Sequence, residues 1–137
     1  MSNPIDTLLA GIKMGMEAAM PTRIITRSFK PHEQYKPAQL EKGVVTLLSN
    51  GEKDYSNVLG RLAEEGTLGL IIIGQIRVKE KAEGIDVEQA ELDLVHELKE
   101  FCRQPPAGIA ITMLSFSQSG QLECPYGFIS VDAEVMT

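Results

Sequence analysis

The sequence predicts an α+β fold: a two-layer sandwich with two helices packed on one face of a mostly antiparallel or mixed sheet of about five strands. Three observations carry this. Two long segments place apolar residues at helical spacing. Five others are rich in β-branched residues, with alternating or continuous apolar character. The elements follow the order α-β-β-β-α-β-β, which lets two helical stripes cover one sheet face. At 137 residues, residues 1–137 form a single domain.

The first helix is Pro4 to Met20. Asn3 suits the N-cap, Pro4 the first helical position, and Asp6 complements the positive end of the dipole. Ile5, Leu8, Leu9, Ile12, Met16, Ala19 and Met20 form one stripe, whose burial contributes on the order of 10 kcal/mol gross. Pro21 ends the helix, and Gly11 and Gly15 beside the stripe suit close packing on a sheet.

Arg23 to Phe29 reads as a strand, Lys30 to Gly43 as a long exposed loop, and Gly43 to Ser49 as the second strand. Asn50-Gly51 is a turn signal. Glu52 to Gly66 reads as a loop with one helical turn around Val58 to Ala63. Thr67 to Lys79 is the clearest strand: Leu70, Ile72, Ile76 and Val78 point one way, and Ile71, Ile73, Gln75, Arg77 and Lys79 the other. Both faces are apolar early and one is apolar late, as in a central strand that emerges at an edge or a subunit surface.

After a charged turn at Lys79 to Gly84, the second helix runs from Asp86, its N-cap candidate, to Arg103. Val87, Ala90, Leu94, Val95, Leu98, Phe101 and Cys102 share its apolar face, and Pro105 and Pro106 end it. Ile109 to Phe116 is a strand and Ser117 to Gly120 a turn. Phe128 to Val135 closes the chain, with Ile129, Val131, Ala133 and Val135 facing inward and Ser130, Asp132 and Glu134 outward.

Composition narrows the function. The formal net charge of −6 disfavours sequence-independent binding to phosphate backbones. The longest apolar run, Leu70 to Ile73, is far short of the roughly 20 residues that span a membrane. The N-terminal residues lack the pattern of a signal peptide, so a cytoplasmic protein is expected. Cys102 and Cys124 are too few for a disulfide scaffold and read as free thiols.

The chemistry-bearing residues form no constellation. His32, beside Glu33 in a Pro-rich loop, has no second histidine or cysteine near it to share a metal. His96 lies opposite its helix's apolar stripe and reads as solvated. Cys102 ends an apolar face and reads as a small core residue, and Cys124 has no base tied to it by spacing. Asp132 and Glu134 share a strand face and read as solvent-facing, with an acidic contact surface as the alternative. Glu80 to Glu100 carries eight acids against Lys81 and Lys99, the pattern of a solvated helix face. Arg23, Arg27, Lys30 and Lys36 cluster earlier, and such acidic and basic halves suit head-to-tail ring contacts. No glycine spacing fits a phosphate-cradling loop, and no catalytic residue, metal or cofactor is expected.

Taken together, the helix Pro4 to Met20, the strand GLIIIGQIRVKE (Gly69 to Glu80), the helix VEQAELDLVHELKEFCR (Val87 to Arg103) and the final strand pair give a pattern. It resembles the tail terminator proteins of long-tailed bacteriophages and the related small minor tail proteins of Mu-like phages. The resemblance implies a non-enzymatic subunit of a six-membered ring in the virion tail, assembled in the host bacterial cytoplasm. Such a ring sits on the finished tail tube, ends its polymerisation and offers a surface for joining the head. The implied partners are further copies of the chain, the tail tube protein and a head-completion protein, with no membrane and no sequence-specific nucleic acid. Ile71, Ile73, Gln75, Arg77 and Lys79 are the candidate subunit contact. The rival readings are an interaction module that dimerises through its sheet and a small enzyme using Cys124 or His32.

Overall fold

A computed structural model describes residues 3–53, 57–58, 61–62, 66–79 and 81–136. Its elements in chain order are α1 (Pro4–Ala19), β1 (Ile24–Thr26), a 3-10 turn (His32–Gln34), α2 (Pro37–Lys42), β2 (Val44–Lys53), β3 (Asn57–Val58), β4 (Arg61–Leu62), β5 (Thr67–Arg77), α3 (Gly84–Arg103), β6 (Ala110–Gln118) and β7 (Tyr126–Met136). The architecture is the expected α+β sandwich. Five strands form one mixed sheet in the order β1-β2-β5-β7-β6, and β3 and β4 form a separate two-stranded ladder. β1 runs parallel to β2, and the other neighbours in the sheet are antiparallel.

α1 forms as its residues dictate. The Asn3 side chain accepts from Asp6 N at 2.7 Å, satisfying one of the free donors at the helix start. Leu9, Ile12 and Met16 are fully buried. Along α3, Val87, Leu94, Val95, Leu98 and Phe101 are buried at helical spacing. Both helices close over Leu68, Leu70, Ile72, Ile129, Val131 and Val135 to make one continuous core. Gly74 gives α3 its approach: a Cβ there would run into Leu94 and Ile129.

Several boundaries differ from the sequence reading. The first strand is three residues long, not seven, and Arg23 and Arg27 at its flanks make ion pairs with Glu97 and Asp6. Residues 30–43 are not one exposed loop. They contain the 3-10 turn and α2, whose Leu40 is buried. Asn50-Gly51 makes a bulge within β2, opposite Gly69, with Gly51 at φ +81°. Val58, Arg61 and Leu62 belong to a strand ladder, not a helical turn, and the remainder of that expected turn lies outside the described residues. Asp86 is the third residue of α3, and its carboxylate accepts from Glu83 N at 2.9 Å, so the N-cap is Glu83, three residues before the expected Asp86. Ser117 and Gln118 extend β6, and β7 is longer at both ends than Phe128 to Val135. Gly15 admits Phe101 of α3 and Pro106 just past it, not the sheet, and Gly11 faces open space.

Candidate interaction surface

The sheet face away from α1 and α3 is half covered. The chain leaves β1 and crosses that face before returning as β2. The crossing is pinned by polar contacts: Gln75 Nε2 donates to Lys30 O at 3.0 Å, and Arg77 pairs with Glu41 of α2 at 3.0 Å. The His32 ring lies 4.7 Å from the Tyr126 ring, and the Arg77 guanidinium sits 5.9 Å from the same ring centre. Lys36 N donates to Gln39 Oε1 at 2.9 Å, which fixes the start of α2, and Gly43 ends it with φ +88°. Leu40, Val44, Thr46 and Gln75 are buried beneath this cover.

The rest of the face is open. Leu48, Ile71 and Ile73 are half-buried there, and Phe128 is 43% exposed. Where the cover ends, Phe29, Pro31, His32, Ile73, Tyr126 and Phe128 line a predominantly apolar groove of about 370 Å³. Three of the chain's seven aromatic residues meet in it, and aromatics are enriched where proteins meet partners. At the other end of the same face a more polar hollow of about 340 Å³ lies between Asn50, Lys53, Leu114, Asp132 and Glu134. There Lys53 pairs with Glu134 at 2.8 Å and Ser115 Oγ donates to Asp132 at 3.4 Å.

The five residues expected at a subunit contact therefore divide. Ile71 and Ile73 lie on the open face, and Lys79 is exposed just past β5. Gln75 is 6% exposed, and both Gln75 and Arg77 bind the chain's own crossing segment. Phe29, Tyr126 and Phe128 were not among the expected residues. Their convergence is readable only once the end of β1 and the start of β7 lie on one sheet.

The charged and thiol groups divide similarly. Glu91, within the acid-rich helix read as solvated, is 1% exposed. It accepts from Ser119 Oγ at 2.5 Å, Phe128 N at 2.9 Å and Gln118 Nε2 at 3.3 Å. Gly127 leaves room for it: a Cβ there would come 2.7 Å from the Glu91 carboxylate. The acidic and basic halves meet within one chain at the Arg23–Glu97 pair, and Arg23 also donates to Lys42 O at 3.0 Å. Burial pushes the Cys102 thiol up to about 11, which keeps it protonated near neutrality. Cys124 is exposed and donates to Ala82 O at 3.4 Å. His96 is exposed on α3, 4.0 Å from Glu100. Among the described residues, no three His, Cys, Asp or Glu groups converge as a metal site, and no helix is long and apolar enough to cross a membrane.

No protein-family model matches the sequence, and no curated protein matches it significantly.

Proposed function

We propose that this chain is a structural, non-enzymatic subunit of a bacteriophage tail. Copies of it form a ring, six-membered by the family resemblance, that caps the tail tube, ends its polymerisation and presents the head-joining surface. The observation that carries the reading is the half-open sheet face with its aromatic groove. A chain that leaves Ile73, Phe29 and Phe128 accessible side by side is built to cover them with protein. The proposed subunit contact is centred on Ile71, Ile73 and Lys79 and extended to Phe29 and Phe128. Gln75 and Arg77 support it from below through the crossing segment. The partners are other copies, the tail tube protein and a head-completion protein. The place of action is the virion tail, after assembly in the host cytoplasm.

The test is capping of assembled tail tubes. Added to growing tubes, the protein should halt elongation, and electron microscopy should show a ring at one end. Ile73→Asp combined with Phe128→Ser should abolish capping while the circular dichroism spectrum is kept. Tubes that elongate unchanged and bind no protein would sink the reading.

A further inference from the structure

The sheet has two edges, and they differ. β1 is three residues long and flanked by Arg23 and Arg27, both engaged in ion pairs. β6 is nine residues long, AITMLSFSQ, with no charged residue and no proline in a chain where 23% of residues are charged. Thr112, Leu114, Ser115, Phe116 and Ser117 are all exposed along it. Among the described residues, no backbone hydrogen bond outside the helices and strands involves β6, so its outer row of N–H and C=O groups has no main-chain partner.

Natural edge strands are blunted by charge, proline, shortness or bulges, because an open edge recruits another strand. β6 carries one such device. Leu114 is bulged out between Met113 and Ser115 and is 57% exposed. Pairing with β7 resumes at Ser115–Asp132 and continues to Gln118–Ile129, so the outer rim persists on both sides of the bulge.

We infer that β6 pairs antiparallel with β6 of a second copy of this chain. Charge permits this occupant. Each copy carries a net charge of −6, yet a β6–β6 ladder sets no like charges opposite one another. Length selects it: pairing of β6 with a neighbour's β1 would be limited to three residues, whereas β6 against β6 offers four on each side of the bulged Leu114. The contact also covers Leu114 and Phe116. Nine residues rising ~3.3 Å each, in a layer ~10 Å deep, bury about 300 Å² per copy from the strands alone. A standard interface buries about 800 Å² per partner, so this dimer is weak and concentration-dependent. The contact is two-fold and does not rest on the tail reading, whose ring requires a second, head-to-tail surface.

The experiment is light scattering from micromolar to millimolar protein without tail tubes, paired with hydrogen exchange. The wild type should pass from 15.0 kDa toward about twice that mass. The β6 amides should gain protection as it does so. Thr112→Lys with Ser117→Lys, both at exposed positions, should raise the dimer Kd at least tenfold while the melting curve stays cooperative. A wild type monomeric throughout overturns the inference. So does an oligomer whose β6 amides exchange as fast as in dilute protein, or a folded double-lysine variant with unchanged mass. Should the double-lysine variant fail to fold, the concentration-dependent protection of wild-type β6 decides alone. Tube capping by the same samples separates the two proposals: loss of capping by a protein that still dimerises sinks only the tail reading.

Discussion

The two faces of the central sheet are covered by different means. On one face, α1 and α3 bury a continuous aliphatic core, with Leu98, Leu94 and Ile12 fully inaccessible. On the other, a 17-residue crossing between β1 and β2 covers only half, and much of what holds it is polar: Gln75 to Lys30, Arg77 to Glu41, and an imidazole against Tyr126. Apolar burial is non-directional and scales with area, so the helical face sets global stability. Polar anchoring is directional and small in net energy, so the crossing is held in one place without contributing much. A face covered in this way keeps apolar surface for a partner.

That contrast can be broken most directly by matched leucine truncations. Leu98→Ala removes a side chain at the centre of the helical core and should cost in the upper part of the ~2–5 kcal/mol range for such changes. Urea unfolding should show one transition moved to lower midpoint. Glu91→Ala should follow, at about 2–3 kcal/mol, because it leaves the Phe128 N–H and the Ser119 hydroxyl without their acceptor. Leu40→Ala on the opposite face should cost about 2 kcal/mol, the low end for a buried leucine. Its signature is different: hydrogen exchange should speed up in α2 and the residues it covers while the core amides keep their protection. Equal global losses from Leu98→Ala and Leu40→Ala would mean that the two faces unfold as one unit.

The same contrast explains what was legible in the sequence. Helical and strand periodicity is a signal of apolar burial, so both long helices, the central strand and the inward row Ile129, Val131, Ala133 and Val135 could be read directly. The crossing could not, since Leu40 is the one buried residue of α2, and Gln75 and Arg77 look like solvent-facing alternation until Lys30 and Glu41 of the crossing meet them. Asn50-Gly51 carries the composition of a hairpin turn, but strand pairing continues past it to Lys53 and Thr67, which makes the glycine a bulge residue instead. Glu91 is the sharpest case. Nothing local separates it from the seven other acids nearby, and its burial depends on Gly127 and Ser119, some thirty residues away. The aromatic groove likewise exists only once residue 29 and residues 126 and 128 are brought to one place by the sheet order.

The smallest expected effect concerns the thiols, which sample the two environments within one chain. Cys102 belongs to the helical layer, and burial raises its pKa from 9.0 to about 11. Cys124 is exposed in the turn before β7. At pH 8 a thiol reagent should label Cys124 promptly and Cys102 only on unfolding. The raised pKa also has a sign in stability. Below pH 9 both folded and unfolded chains hold the Cys102 proton, and the contribution is complete. Between pH 9 and pH 11 the unfolded chain releases that proton while the folded chain retains it, so stability falls as pH rises through this window. Tyr35, also raised from 10.0 by burial, adds a loss of the same sign at higher pH. Cys102→Ala should therefore flatten the early part of the alkaline decline and leave the Tyr35 part. An unchanged decline in that variant, or equal labelling of both thiols in the native protein, would place Cys102 in water and α3 further from the sheet than the core packing requires.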